Sequence, residues 1–279
     1  MVAVAAQSVK DLPFTAMSGL VDMRTGGRPS AGSFLYEGNE LVTTWHSHDL
    51  HQIEYAFHGA VEVETAVSHC LLPPQQAAWI PAGVEHRTTI RSSVRTISVF
   101  FTSRFVPAPG ARVRILPVPP VLREMMIYSG RWPIGRSSSD DVADAYFTAL
   151  GRLVSELLDD EQPLSLPTSA DPVLAEAMTW TRENLDTATV AVVARHVGLS
   201  ERSLRRRFET GLGMTWRRYL VQARLLRAMA LLAEPRPSVL QVATTVGFES
   251  ASSFNRAFRQ WTGETPSGYR SKRTRSDER

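Results

Sequence analysis

Two segments of this chain, residues 189–208 and 239–259, follow one plan, and that plan constrains the fold more than any other feature. In the first, Val190, Val193, Ala194 and Val197 recur at helical spacing. Gly198 then supplies a residue that adopts positive φ at little cost. Ser200 is suited to cap a following helix, in which Leu204 and Phe208 stand four residues apart on one face. In the second segment Gly247, Ser250, Phe254 and Phe258 hold the corresponding positions. A short helix, a glycine turn and a capped second helix predict a helix-turn-helix, whose second helix presents its outer face to a major groove. The outward positions are Arg202, Ser203, Arg205, Arg206 and Arg207 in one copy, and Ala251, Ser253, Asn255, Arg256 and Arg259 in the other. Arg can bridge O6 and N7 of guanine, and Asn can pair with N6 and N7 of adenine.

Between the two segments, residues 215–233 form an amphipathic pattern carried by Tyr219, Leu220, Ala223, Leu226, Met229, Ala230 and Leu231. A helix of that length spans roughly 28 Å, which suits two reading heads about one DNA turn, ~34 Å, apart. The charge distribution agrees. Residues 171–279 hold 18 Lys and Arg against 11 Asp and Glu, a net +7, whereas residues 1–170 carry −4. A basic module joined to a mildly acidic one predicts a polyanion-binding part and a part with another task.

At these residues the sequence resembles the AraC/XylS family of bacterial transcription regulators. The resemblance covers about residues 172–271 and is strongest from Gly247 to Arg259 and from Trp261 to Arg270, which reads Trp-Thr-Gly-Glu-Thr-Pro-Ser-Gly-Tyr-Arg. It implies seven helices, with two helix-turn-helix units joined by a rigid helix. Carried over by position, it implies base contacts from Arg202, Ser203, Arg205 and Arg206, and then from Ala251, Ser252, Asn255 and Arg256. Ala251 and Ser252 are small for base readers, so the second unit is expected to serve phosphate contact and positioning more than the first.

Residues 31–101 break into short β-type runs: 33–36, 41–45, 51–57, 61–67, 77–80 and 96–101. Many short strands predict a small barrel or sandwich. A stretch punctuated by Pro107, Pro109, Pro117, Pro119 and Pro120 is expected to be irregular or edge structure. A short helix is expected over 121–128 and a longer one over 140–159, where Val142, Tyr146, Leu150, Leu153, Val154 and Leu157 recur. Its leucines suit either a dimer contact or packing on the chain's own barrel. Pro163, Pro167 and Pro172 mark a linker, with Asp171 as the cap of the next helix. The expected class is α+β: a sensor domain with an N-terminal arm over 1–120, a helical connector over 121–170, and an all-α domain over 171–279.

Six of the seven histidines lie within residues 46–86. If residues 45–54 form one strand, His46, His48, Gln52 and Glu54 share a face, and His86 can return to it. This pattern resembles the cupins. His46, His48, Gln52 and Gly59 have the spacing of the first cupin motif, and Pro81, Gly83 and His86 that of the second. Gln52 stands where the cupin carboxylate is usual, and Ile90 replaces the closing Asn. Three neutral imidazoles suit Zn²⁺, Ni²⁺, Cu²⁺ or Fe²⁺, and Glu54 would offset the charge lost at Gln52. The other expectation is a barrel that keeps these groups for a small organic effector or for buried hydrogen bonds.

The expected function is a sequence-specific regulator that binds double-stranded DNA and responds to an effector. The expected partners are a small molecule or metal ion, RNA polymerase and a second copy of the chain, and activation is the commoner mode in the resembling family. No enzyme activity is expected. The alternative is a cupin-type metal-dependent enzyme with a DNA-binding tail. No apolar run approaches the ~20 residues that span a bilayer, residues 1–17 do not read as a secretory signal, and the single Cys70 suits a reducing compartment. A cytoplasmic location follows.

Overall fold

A computed structural model describes residues 30–277 apart from 92, 107–109, 137–139, 163 and 235, with side chains through Ser271. The expected N-terminal arm and three residues of the proline stretch, among them Pro107 and Pro109, lie outside the described residues, as does Pro163. The chain divides into two compact units. One runs to Val63 and then over Leu72–Pro163, and the other comprises Glu64–Leu71 and Leu164–Arg279.

The first unit is built on an antiparallel sheet in the order β1 (Ala31–Gly38), β8 (Val94–Phe101), β3 (His51–His58), β6 (Gln76–Ile80), β9 (Arg114–Pro117). Strand β3 shows why it positions a site. Ile53, Tyr55 and Phe57 enter a core with Ile97, Val99 and Phe101 of β8, Trp79 of β6, Leu122 and Met126 of α1 (Pro120–Ser129), and Phe147, Leu150 and Val154 of α2 (Asp141–Leu157). Because side chains alternate along a strand, Gln52 and Glu54 on β3 and Ser98 and Phe100 on β8 face the other way. Of the remaining strands in this unit, β7 (His86–Ile90) pairs with β2 (Leu41–Val42) through Leu41 with Ile90 and Val42 with Thr89. Strand β4 (Val61–Thr65) buries Val61, Val63 and Thr65 in strict alternation.

Several sequence expectations are corrected here. The run 41–45 is a strand only over Leu41–Val42, so residues 45–54 are not one continuous strand. His46 makes an isolated antiparallel bridge with His86 instead. The proline stretch, by contrast, holds the edge structure expected of it, in a strand β9 that ends at Pro117, as the missing proline donor requires. The expected linker holds β10 (Ser165–Pro167), which pairs with Cys70, His69 and Ser68 of β5 (Ser68–Leu72). On α2, capped by Asp140 through Val142 N and Ala143 N, the leucine stripe packs inward. Leu150 is fully buried, and Leu153 and Leu157 lie against the same core, so this stripe is spent within its own unit.

The second unit contains seven helices among the described residues: α3 (Pro172–Glu183), α4 (Val190–His196), α5 (Glu201–Leu212), α6 (Trp216–Leu232), α7 (Val239–Thr245), α8 (Ala251–Thr262) and α9 (Pro266–Asp277). Helix α6 buries ten of its 17 residues, a broad apolar face that leaves Arg217, Arg218 and Arg227 exposed. No helix among the described residues is long and apolar enough to cross a membrane.

Candidate nucleic-acid interface and imidazole cluster

Helices α4 and α5 are joined by Gly198 at φ 68°, and α7 and α8 by Gly247 at φ 87°. In each pair a serine caps the second helix. Ser200 accepts from Ser203 N at 3.2 Å, and Ser250 accepts from Ser253 N at 3.2 Å. Leu204 and Phe208 in α5, and Phe254 and Phe258 in α8, are fully buried, so helical periodicity turns the intervening residues outward. Arg202, Arg205, Arg206, Ser252, Asn255 and Arg256 are exposed, while Ser203 and Ala251 are half-buried.

The exposed residues are not equally available. Arg205 pairs with Glu201 one turn earlier at 2.8 Å. Arg207 pairs with Asp171, the residue that caps α3 through Val173 N and Leu174 N. Ser203 Oγ lies 2.9 Å from Ser200 Oγ and so is drawn into the cap. Among the described residues Arg202 and Arg206 on α5 and Arg256 and Arg259 on α8 are exposed and make no ion pair, which leaves them the most available cations on the two outer faces.

The duplication runs further than the two segments. Gly213 and Gly263 end the second helices at φ 65° and 81°. Thr215 caps α6 through Arg218 N, and Thr265 accepts from Gly268 N in α9. Tyr219 meets Phe208 at 5.6 Å between ring centroids, and Tyr269 meets Phe258 at 5.6 Å. The paired Gly, Thr and Tyr residues, each 50 positions apart, were the sequence signal for this extension.

In the first unit the structure brings the predicted histidines together without a strand between them. Ring centroids are 4.3 Å apart for His46 and His86, 5.2 Å for His48 and His86, and 6.2 Å for His46 and His48. Each ring is held through Nδ1 on a backbone carbonyl two residues away: Thr44 for His46, Leu50 for His48 and Val84 for His86. His48 Nε2 lies 2.8 Å from Gln52 Oε1, Gln52 Nε2 donates to Glu54 at 2.8 Å, and Ser98 Oγ donates to the same carboxyl oxygen. The predicted Gln52 and Glu54 thus form a buried chain with His48. His86 Nε2 is buried and has no hydrogen-bond partner among the described residues.

Burial sets the protonation of this chain. It pushes the Glu54 carboxyl up to about 7, against the opposing hydrogen bonds from Ser98 and Gln52. It drives His86 down to about 4 and lowers His48 as well. With Gln52 oriented as above, His48 donates from both nitrogens and must be cationic. Turning the Gln52 amide over lets neutral His48 accept from its NH₂ while protonated Glu54 donates to its oxygen. Burial of both ends favours this neutral arrangement.

Whether a metal suits these residues follows from the same contacts. Carbonyl-anchored Nδ1 atoms and the unpartnered His86 Nε2 are what a histidine ligand set needs. His48, however, spends its Nε2 on Gln52, and among the described residues no group of three His, Cys, Asp or Glu stands ready to hold a metal ion. The arrangement as it stands is a polar hydrogen-bonding cluster.

Comparison with known proteins bears on the helical unit. Residues 193–272 match a family described as a helix-turn-helix domain. The HTH-type transcriptional regulator NimR of Escherichia coli K12 is 26% identical over 237 residues, which cover 83% of each chain. The HTH-type transcriptional activator RhaR of E. coli O139:H28 is 30% identical over 144 residues, half of each chain. A solved AraC-type transcriptional regulator from Chromobacterium violaceum is 31% identical at a TM-score of 0.36, covering 37% of this chain and 94% of that one.

Proposed function

We propose that this chain, whose residues 193–272 match a helix-turn-helix domain family, is a sequence-specific transcription regulator of the AraC/XylS type whose two helix pairs are two helix-turn-helix reading units. The observation that carries this reading is the repeated arrangement of glycine turn, serine cap and paired apolar residues, which leaves Arg202 and Arg206 exposed on α5 and Asn255 and Arg256 on α8. Arg202 and Arg206 read guanines in one major groove. Asn255 reads adenine in the next, with Arg256 on bases or phosphate and Ser252 and Ala251 setting the approach. Arg205 and Ser203, engaged with Glu201 and Ser200, contribute position more than base choice. Helix α6, 17 residues and roughly 25 Å long, sets the separation of the heads.

The first unit is proposed as a cupin-like sensor whose effector reaches the cluster of His46, His48, Gln52, Glu54 and His86 and changes DNA affinity, most simply as an activator acting beside RNA polymerase in the cytoplasm. A small organic effector with hydrogen-bonding groups matches the neutral, amide-bridged chain. A divalent metal is a second reading, favoured by the buried, unpartnered His86 Nε2. Dimerisation is part of the proposal, through a surface other than the inward leucines of α2.

The test begins with selection of duplexes from random sequence by the full chain, followed by titration of selected and scrambled duplexes over a KCl series. The selected duplex should bind about 1,000-fold tighter or better, with affinity for both falling steeply as salt rises. Equal affinity for the two would end the reading. Titration with Zn²⁺ or Ni²⁺ in the same assay separates the sensor readings. A shift that His86→Ala abolishes supports the metal, and no shift leaves the organic effector.

A further inference from the structure

Three elements of the helical unit meet at one point. The α3–α4 loop brings the carbonyl of Leu185 and the backbone of Asp186. Helix α6 brings Arg224, whose Nε donates to that carbonyl at 2.9 Å. The α7–α8 turn brings Gly247 and Phe248, with the Arg224 guanidinium 5.9 Å from the Phe248 ring centroid. The packing is close enough that only glycine fits the turn. A Cβ on Gly247 would stand 2.7 Å from Arg224 Nη2, 2.7 Å from Leu185 O and 2.8 Å from Asp186 Cα. Phe248 continues inward, 5.3 Å from Phe254 of α8. Asp186 and Glu249 also face Arg224 along a cleft of about 630 Å³, whose other wall includes Arg205 of α5 and Thr189 at the start of α4.

We infer that Arg224 is a positioning residue that fixes the second helix pair against the first, and thereby sets the spacing of DNA boxes that one chain can read at once. The inference rests on the two-head reading proposed above. A single guanidinium bonds to the loop that leads into α4 and stacks beside the turn that leads into α8, so the two reading helices are referred to one rigid point. Without it each pair keeps its own caps and apolar core, and only the packing of each pair on α6 relates them, so the angle between them is less narrowly fixed. Effective concentration of the second head at its box then falls, and avidity falls with it by roughly 100-fold.

The experiment uses the full chain and a duplex selected by it, together with derivatives carrying two extra base pairs between the boxes. Hydroxyl-radical footprints and affinities are compared for wild type, Arg224→Met, Gly247→Ala and Gly198→Ala. Gly198 has nothing within 4 Å of its would-be Cβ, so its variant shares the glycine chemistry without touching the junction. Wild type should protect two boxes and lose affinity when the spacer is lengthened. Arg224→Met and Gly247→Ala should retain helical circular dichroism and protection of one box, bind the two-box duplex roughly 100-fold more weakly, and be indifferent to the added base pairs. Gly198→Ala should keep the wild-type spacing dependence. An Arg224→Met protein with wild-type affinity and wild-type spacing dependence overturns the inference, as does one that loses both boxes in parallel. Protection of a single box by wild type overturns the two-head reading itself, which is a separate outcome.

Discussion

The two helix pairs share a residue plan but not a setting. Around Gly198 the first turn opens to free space, whereas Gly247 in the second is closed in by Leu185, Asp186 and Arg224. The outer faces differ in the opposite sense. Helix α5 presents four arginines, two of them tied to Glu201 and Asp171, while α8 presents Ser252 and Asn255 with two, Arg256 and Arg259. The same motif thus carries a cation-rich outer face held by its own ion pairs and a sparer one held by its neighbours. A repeat in sequence fixes how each unit is built internally, and its surroundings decide how each is held.

The largest test of that contrast is at the shared core. Phe208→Ala and Phe258→Ala each remove a fully buried ring and should each cost about 3–5 kcal/mol in denaturant unfolding. Near-equal losses confirm equivalent interiors, and a several-fold difference breaks the equivalence. The turn glycines should then separate the pairs. Gly247→Ala combines positive φ with backbone overlap and should cost about 3 kcal/mol. Gly198→Ala bears the φ penalty alone and should cost about 1 kcal/mol. Equal costs would mean that the second turn is not closed in.

Base preference comes next. Arg202→Ala and Arg206→Ala should each relax selectivity at one guanine by about 2 kcal/mol in competition binding, and Asn255→Ala at one adenine by a similar amount. Ser252→Ala should change little. If Arg206→Ala instead weakened all duplexes uniformly and flattened the salt dependence, its contact is to phosphate. The smallest effect concerns how the first pair is tethered. Arg207 pairs with Asp171, and the second pair has Ala257 at the matching place. Arg207→Ala should cost no more than about 1 kcal/mol, since both partners are partly exposed.

How much of this was legible in the sequence depends on what each element buries. The helix pairs were readable because turn, cap and apolar spacing agree within short windows, and α2 was readable from its leucine period. Strand β5 was not, since His69, Cys70, Leu71 and Leu72 are buried in succession and show no alternation to detect. Prolines pointed to an edge at β9 but concealed β10, which read as linker; both strands tolerate proline only as edges. The residues expected to share one face do come together, but not on the strand expected to carry them. His46 and His48 sit on an irregular segment and a single bridge, and pairing across to His86 is a long-range contact that no local pattern encodes. Ser203 illustrates the limit at the DNA face, where an outward position in the helical period is drawn into the cap by Ser200.

Interference by 7-deazaguanine and 7-deazaadenine placed singly in a selected duplex tests the central claim most directly, because exchanging N7 for carbon removes the acceptor that Arg and Asn read in the major groove. Two clusters of interfering purines about 10.5 base pairs apart on one face of the helix, one relieved in Arg206→Ala and the other in Asn255→Ala, are predicted. A single cluster, or interference that neither substitution alters, would contradict it.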